Sequence, residues 1–198
     1  MLESIYKNII CDPVLPKPGS VLKVDLAAGL VCHTGIYVGN NRIVEMTNQK
    51  GTGIIKKVPP KYFLDYSLVR TGLFIYVACG IKDGKYYPLA APEIAERALA
   101  AVGRKTEYSL LLDNCHMFTE YCITGKYDSL LGTLLNIEMA LVRKFHLPEP
   151  ELVHPSPSLW DIFSEPTFCQ PHRREVHVDY PPYWMSTGVS LNDSFPDD

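Results

Sequence analysis

The sequence predicts an α+β domain in which an antiparallel sheet packs on helices. Three observations predict it. Short segments of period-two alternation fill the first half, Gly- and Asn-containing turns separate them, and three segments of helical period follow. Strands first and helices second is the order of a sheet with its helices on one side. With 198 residues, 46% apolar and 21% charged, the chain can bury a core without disulfide or metal staples.

Taken in order, PKPG (16–19) is a turn leading into an alternating strand over Val21–Val24. A second strand spans Val31–Val38 (VCHTGIYV) and a third Arg42–Met46 (RIVEM), joined by Gly39-Asn40-Asn41 as a hairpin turn. Val69–Ala78 supplies further strand, and KDGK (82–85) closes another turn. The period then changes. Pro92–Val102 reads as a helix, with Pro92 in the first turn, Glu93 and Glu96 near the positive end and Gly103 at the stop. A second helix is expected from about Asn114 to Gly125 and a third from about Ser129 to Phe145. In the third, Leu131, Leu134, Leu135, Glu138, Leu141, Val142 and Phe145 share a face on which Glu138 is the polar exception.

Charge divides the chain. The net formal charge of −3 is the sum of +4 over residues 1–146 and −7 over residues 147–198, and the second segment holds 9 of the 16 prolines. The expected organisation is a folded domain at 1–146 and a proline-rich acidic extension at 147–198 packed on it. Prolines keep the extension out of helices and central strands. SLWDIF and YPPYW would anchor it on the domain, either as a structural wrap or as an autoinhibitory or partner-docking arm, with the last residues loose. The overall balance is too mild for nucleic acid as a partner. MLESIYKNIICDP does not read as a signal peptide, and no stretch has the ~18 apolar residues of a membrane span. The six cysteines form no CxxC pair and are irregularly spaced, and without a secretion signal they are expected as reduced thiols in a cytoplasmic protein.

Cys115 sits where a helix is expected to begin, after Asp113 or Asn114 as cap. A thiolate there faces free amides and the positive end of the helix dipole, both of which lower its pKa. The Cys115 amide would also point at an oxyanion formed on a carbonyl under attack. A nucleophilic thiol needs a base, and the candidate is His33. Alternation puts His33, Gly35 and Tyr37 on one face of their strand and Cys32, Thr34 and Ile36 on the other. Glu45 is the candidate to orient His33, but only in one register. A three-residue loop pairs Gly35 with Glu45 and sets Glu45 diagonal to His33, whereas a two-residue loop puts it on the wrong face. The alternative for Cys115 is a small buried hydrophobe, and for His33 a satisfied structural histidine. A zinc site from Cys115, His116 and Cys122 lacks ligand spacing.

PKPGSVLKV, HTGIYVGNNRIVE and ERALAAVGRKTEYSLLLDNCHMFTEYCITGKY together resemble the lecithin–retinol acyltransferase family, which includes small phospholipase/acyltransferases related to the H-rev tumour suppressors. The resemblance runs from about Pro16 to Tyr127. It implies a permuted papain-like fold of the NlpC type, with Cys115 as nucleophile and His33 as base. Glu45 stands where the family usually has a second histidine, as in bacterial permuted amidase-like relatives, and His116 stands where many relatives have glutamate. Tyr37 and Asn114 are the expected substrate-binding residues, and no metal and no cofactor is expected.

The implied activity is acyl transfer or hydrolysis through a thioester on Cys115, acting on an acyl-bearing lipid. Amide hydrolysis on peptides, cell-wall fragments or protein conjugates is the alternative, and an inactive binding module a third. The basic domain and the apolar face of the third helix suit transient contact with a membrane surface, or equally a solvated surface and a packed core.

Overall fold

Along Val21–Leu26 the side chains of Val21 and Lys23 point to one side and those of Leu22 and Val24 to the other, as strand geometry requires. That alternation runs through an eight-stranded antiparallel sheet. The computed structural model describes residues 13–26, 31–64, 74–107, 114–127, 132–148, 182–189 and 194–195. Its strands are β1 (Val21–Leu26), β2 (Val31–Tyr37), β3 (Ile43–Gln49), β4 (Thr52–Val58), β5 (Tyr76–Lys82), β6 (Lys85–Pro88), β7 (Lys105–Glu107) and β8 (Tyr183–Ser186). The order across the sheet is β6-β5-β1-β2-β3-β4-β7, with β8 paired to β5. The helices are α1 (Pro60–Leu64), α2 (Pro92–Ala101), α3 (Cys115–Thr124) and α4 (Leu134–Phe145).

One face of the sheet offers Val21, Ile36, Val44, Met46 and Ile55, which pack on Ile94 and Ala98 of α2, Phe118 and Cys122 of α3, and Ile137 and Leu141 of α4. The other face offers Leu22, Val24, Tyr37, Ile43 and Val77, covered by Phe63 and Leu64 of α1 together with Val189 and Phe195. Helices therefore sit on both faces. The expectation of helices on one side holds for the three longer ones, and the short α1 carried no periodic signal.

The hairpin between β2 and β3 turns through Gly39, Asn40 and Asn41, with φ of 82°, 49° and 54°. These are left-handed values that glycine and asparagine tolerate best. The Val38 amide donates to the Arg42 carbonyl at 2.9 Å, and Gly35 pairs with Glu45. This is the three-residue register on which the Glu45 argument depends. Beyond Gly35 the β2–β3 ladder stops, while β2 stays paired to β1 through Val31 and β3 stays paired to β4 through Gln49.

Several boundaries move. Residues 65–73 lie outside the described residues, and β5 begins at Tyr76. Just before it, Ile75 exchanges hydrogen bonds with Thr187 and Val189. The third predicted helix begins at Leu134 because Thr133 caps it, its hydroxyl accepting the Asn136 amide at 3.2 Å. Its buried face centres on Ile137, Ala140, Leu141 and Val142, and Leu135 is 53% exposed. Of the two anchors expected in the extension, SLWDIF lies outside the described residues. Tyr183 and Trp184 from YPPYW lie in β8.

Candidate active site

Helix α3 opens at Cys115 because Asn114 caps it. The Asn114 backbone is extended, and its Oδ1 accepts the amide hydrogens of His116 at 2.9 Å and Met117 at 3.1 Å. The cap leaves the Cys115 amide outside these two bonds. Asn114 Nδ2 donates to the Gly132 carbonyl at 3.1 Å. A Cβ on Gly132 would fall 2.2 Å from Asn114 Oδ1, so the close approach admits only glycine. At the far end of α3, Arg97 from α2 donates to the carbonyls of Cys122 at 2.6 Å and Ile123 at 2.8 Å. A cation thus satisfies the negative end of the helix, and Cys115 occupies the positive end.

Alternation aims Thr34 at α3, where its hydroxyl donates to the Cys115 carbonyl at 3.3 Å and bonds the Thr119 hydroxyl at 3.0 Å. His33 points to the opposite face, against the ring of Phe63 at 5.3 Å. The Cys115 sulfur nevertheless hydrogen-bonds His33. Beside His33 the β2–β3 ladder has already ended, its last pair being Gly35 with Glu45. His33 Nε2 donates to Glu45 Oε2 at 2.7 Å, and both residues are buried. With Nε2 engaged, Nδ1 is the nitrogen that meets the sulfur.

Three cysteines among the described residues are free thiols: Cys79, Cys115 and Cys122. Burial pushes the Cys79 thiol up to about 12 and pushes Cys122 up as well. Burial also acts to raise Cys115. There the charges of His116 and His33, with hydrogen bonds from the His33 side chain and the Thr34 backbone, outweigh it and bring the thiol down to about 6. Cys32 is disulfide-bonded, which corrects the expectation of reduced thiols throughout. Spacing carried no signal for it, because a disulfide depends on two Cβ atoms meeting across the fold.

Cys115, His33, Glu45 and Asn114 therefore come together. Tyr37 does not join them; it is 1% exposed and lies edge-on to Phe195 at 4.9 Å, inside the core on the far face of the sheet. The side chain of Asn114 is committed to the cap and to Gly132. Sequence reasoning named Thr34 and His116 but gave neither a part in the site. The signal for Thr34 was available, since alternation set it on the helix-facing side of β2.

No helix among the described residues is long and apolar enough to cross a membrane. No curated protein matches the chain. A family model described as lecithin retinol acyltransferase matches residues 15–128, from the turn before β1 to just past α3, so it spans every residue of this cluster except Gly132. On that match, over more than half its length, the chain belongs to the lecithin retinol acyltransferase family.

Proposed function

We propose that the protein is a cysteine-dependent acyltransferase or acyl hydrolase acting on lipid esters. The observation that carries this reading is a thiol lowered to about 6 at a helix N-terminus, hydrogen-bonded to an imidazole that a buried glutamate holds at 2.7 Å. Family membership supports the lipid substrate.

In this reading His33 takes the Cys115 proton through Nδ1, leaving a thiolate and an imidazolium. The sulfur bonds to the ester carbonyl carbon while negative charge moves to the carbonyl oxygen, toward the Cys115 amide. The carbon–oxygen bond to the alcohol then breaks, and the alcohol leaves with the proton from His33. The acyl group stays as a thioester. Water releases it as an acid, or a second nucleophile carries it away, and the thiol returns. Glu45 fixes the His33 tautomer and stabilises its charged form. A cavity of about 340 Å³ beside α3 has Met46, Ile55, Met117 and Tyr127 in its wall, with Arg104 and Lys105.

The test is the intact mass of the protein after incubation with a mixed-chain phosphatidylcholine. An added acyl mass that disappears in Cys115→Ala is the expected result. No adduct, together with cleavage of an acyl-peptide amide, would move the substrate to the amide class. Neither adduct nor cleavage would leave a scaffold without chemistry.

A further inference from the structure

We propose that His116 is a second positioning imidazole, held as a cation beside the nucleophile so that the Cys115 sulfur stays ionised. The ring is buried and held at both nitrogens. Nδ1 lies 3.3 Å from the Gly132 carbonyl oxygen and Nε2 lies 3.5 Å from the Cys32 sulfur. A carbonyl oxygen only accepts. A disulfide sulfur carries no hydrogen, so it too only accepts. Taken as hydrogen bonds, both contacts call for a donating ring nitrogen, and an imidazole that donates twice is an imidazolium.

Charge balance agrees with a cationic His116 once Cys115 is ionised. The charged and titratable groups bearing on Cys115 among the described residues are His116 on α3 and His33 on β2. Glu45 of β3 lies behind His33, and Cys32 of β2 lies behind His116. Thiolate and glutamate set against two imidazolium rings sum to zero. With Cys115 ionised, a neutral His116 would leave this buried group with a net negative charge, which low-dielectric surroundings disfavour. Among the effects that lower the Cys115 thiol, the His116 charge stands ahead of His33. The anchor is rigid as well, because Asn114 Nδ2 fixes the same Gly132 carbonyl.

The proposal rests on Cys115 as the nucleophile but not on its acyl substrate. The test is iodoacetamide alkylation of the full chain across pH, read on the peptide containing Cys115. In His116→Gln the midpoint moves up from about 6. Each unit of movement slows alkylation below the native midpoint by about tenfold. His116→Lys, which keeps a cation, stays close to native. A His116→Gln chain that titrates like the native one, or a lysine variant that behaves like the glutamine variant, overturns the proposal. Nitrogen-15 shifts of the His116 ring in the native chain provide a readout that needs no variant. Two protonated nitrogens near neutral pH are expected, and one bare nitrogen overturns the assignment. Neither readout needs turnover, so a chain with a low-titrating thiol but no acyl adduct would fail the lipid reading and leave this one standing.

Discussion

At the scale of single residues, the three free thiols among the described residues feel the same burial and respond differently because of their neighbours. Cys79 meets a backbone carbonyl at 3.6 Å, and Cys122 has its largest effect from desolvation. Only Cys115 lies against two imidazoles. Its reactive form is the anion, so its alkylation should rise as pH climbs through about 6, well below the ordinary 9.0 of a thiol. A rate profile on the Cys115 peptide checks this, and a midpoint near the ordinary value would remove the activated nucleophile. Glu45→Gln keeps the side-chain shape but loses the charge that holds His33. Turnover should fall by about 10²–10⁴-fold, the span of a general base's contribution. The circular dichroism spectrum should stay native, and undiminished turnover would take Glu45 out of the mechanism. This carboxylate was legible in the sequence because strand parity and a three-residue loop admit one answer. The surroundings of His116 were not legible, since Gly132 and Cys32 reach it from elsewhere in the fold.

At the scale of elements, α3 is specified from its two ends. Asn114 closes one end and Arg97 the other, and Gly132 permits the first. Gly132→Ala should push Asn114 off its cap, costing about 1 kcal/mol for the cap alone. It should also displace the carbonyl that accepts from His116. A lower Tm together with an upward shift of the Cys115 alkylation midpoint is expected, and a lower Tm alone would confine Gly132 to stability. The helix itself was legible, because cap, breaker and apolar period agree in the sequence. On α4 the polar exception Glu138 finds its reason in β8, since Trp184 Nε1 donates to Glu138 Oε1 at 2.9 Å. Neither partner forecasts the other across 46 residues. A double-mutant cycle with Glu138→Gln and Trp184→Phe should give a coupling of about 1 kcal/mol, at the lower end for a charged hydrogen bond because the pair is only partly buried.

At the scale of the whole molecule, the order of strands and helices was enough to give the α+β class, because period two and period 3.6 are local properties. The placement of β4, β7 and β8 was not legible. β4 holds alternating burial over TGIIKKV but carries two lysines, β7 is three residues long, and β8 pairs with β5 from more than 100 residues away. That last pairing is structural. The Thr187 hydroxyl donates to the Ile75 carbonyl at 3.0 Å, and the Phe195 amide donates to Asn41 Oδ1 at 2.9 Å in the β2–β3 hairpin. A chain ending before Tyr183 should therefore melt at lower temperature, with new exposure of Tyr37 visible as quenchable tyrosine fluorescence. An unchanged melting curve would show that residues 183–195 add nothing to the fold.

The ring of Phe195 lies against Tyr37, in the same apolar layer as the Phe63 that backs His33. Synthesis runs from the N-terminus, so a ribosome has delivered His33, Glu45 and Cys115 long before Val189 and Phe195 emerge. A nascent chain thus carries all three side chains while the layer behind the imidazole still lacks Val189 and Phe195. The apolar backing of His33 is therefore completed only by residues made about 70 positions after the last member of the cluster it supports, so it closes after the cluster itself has been synthesised.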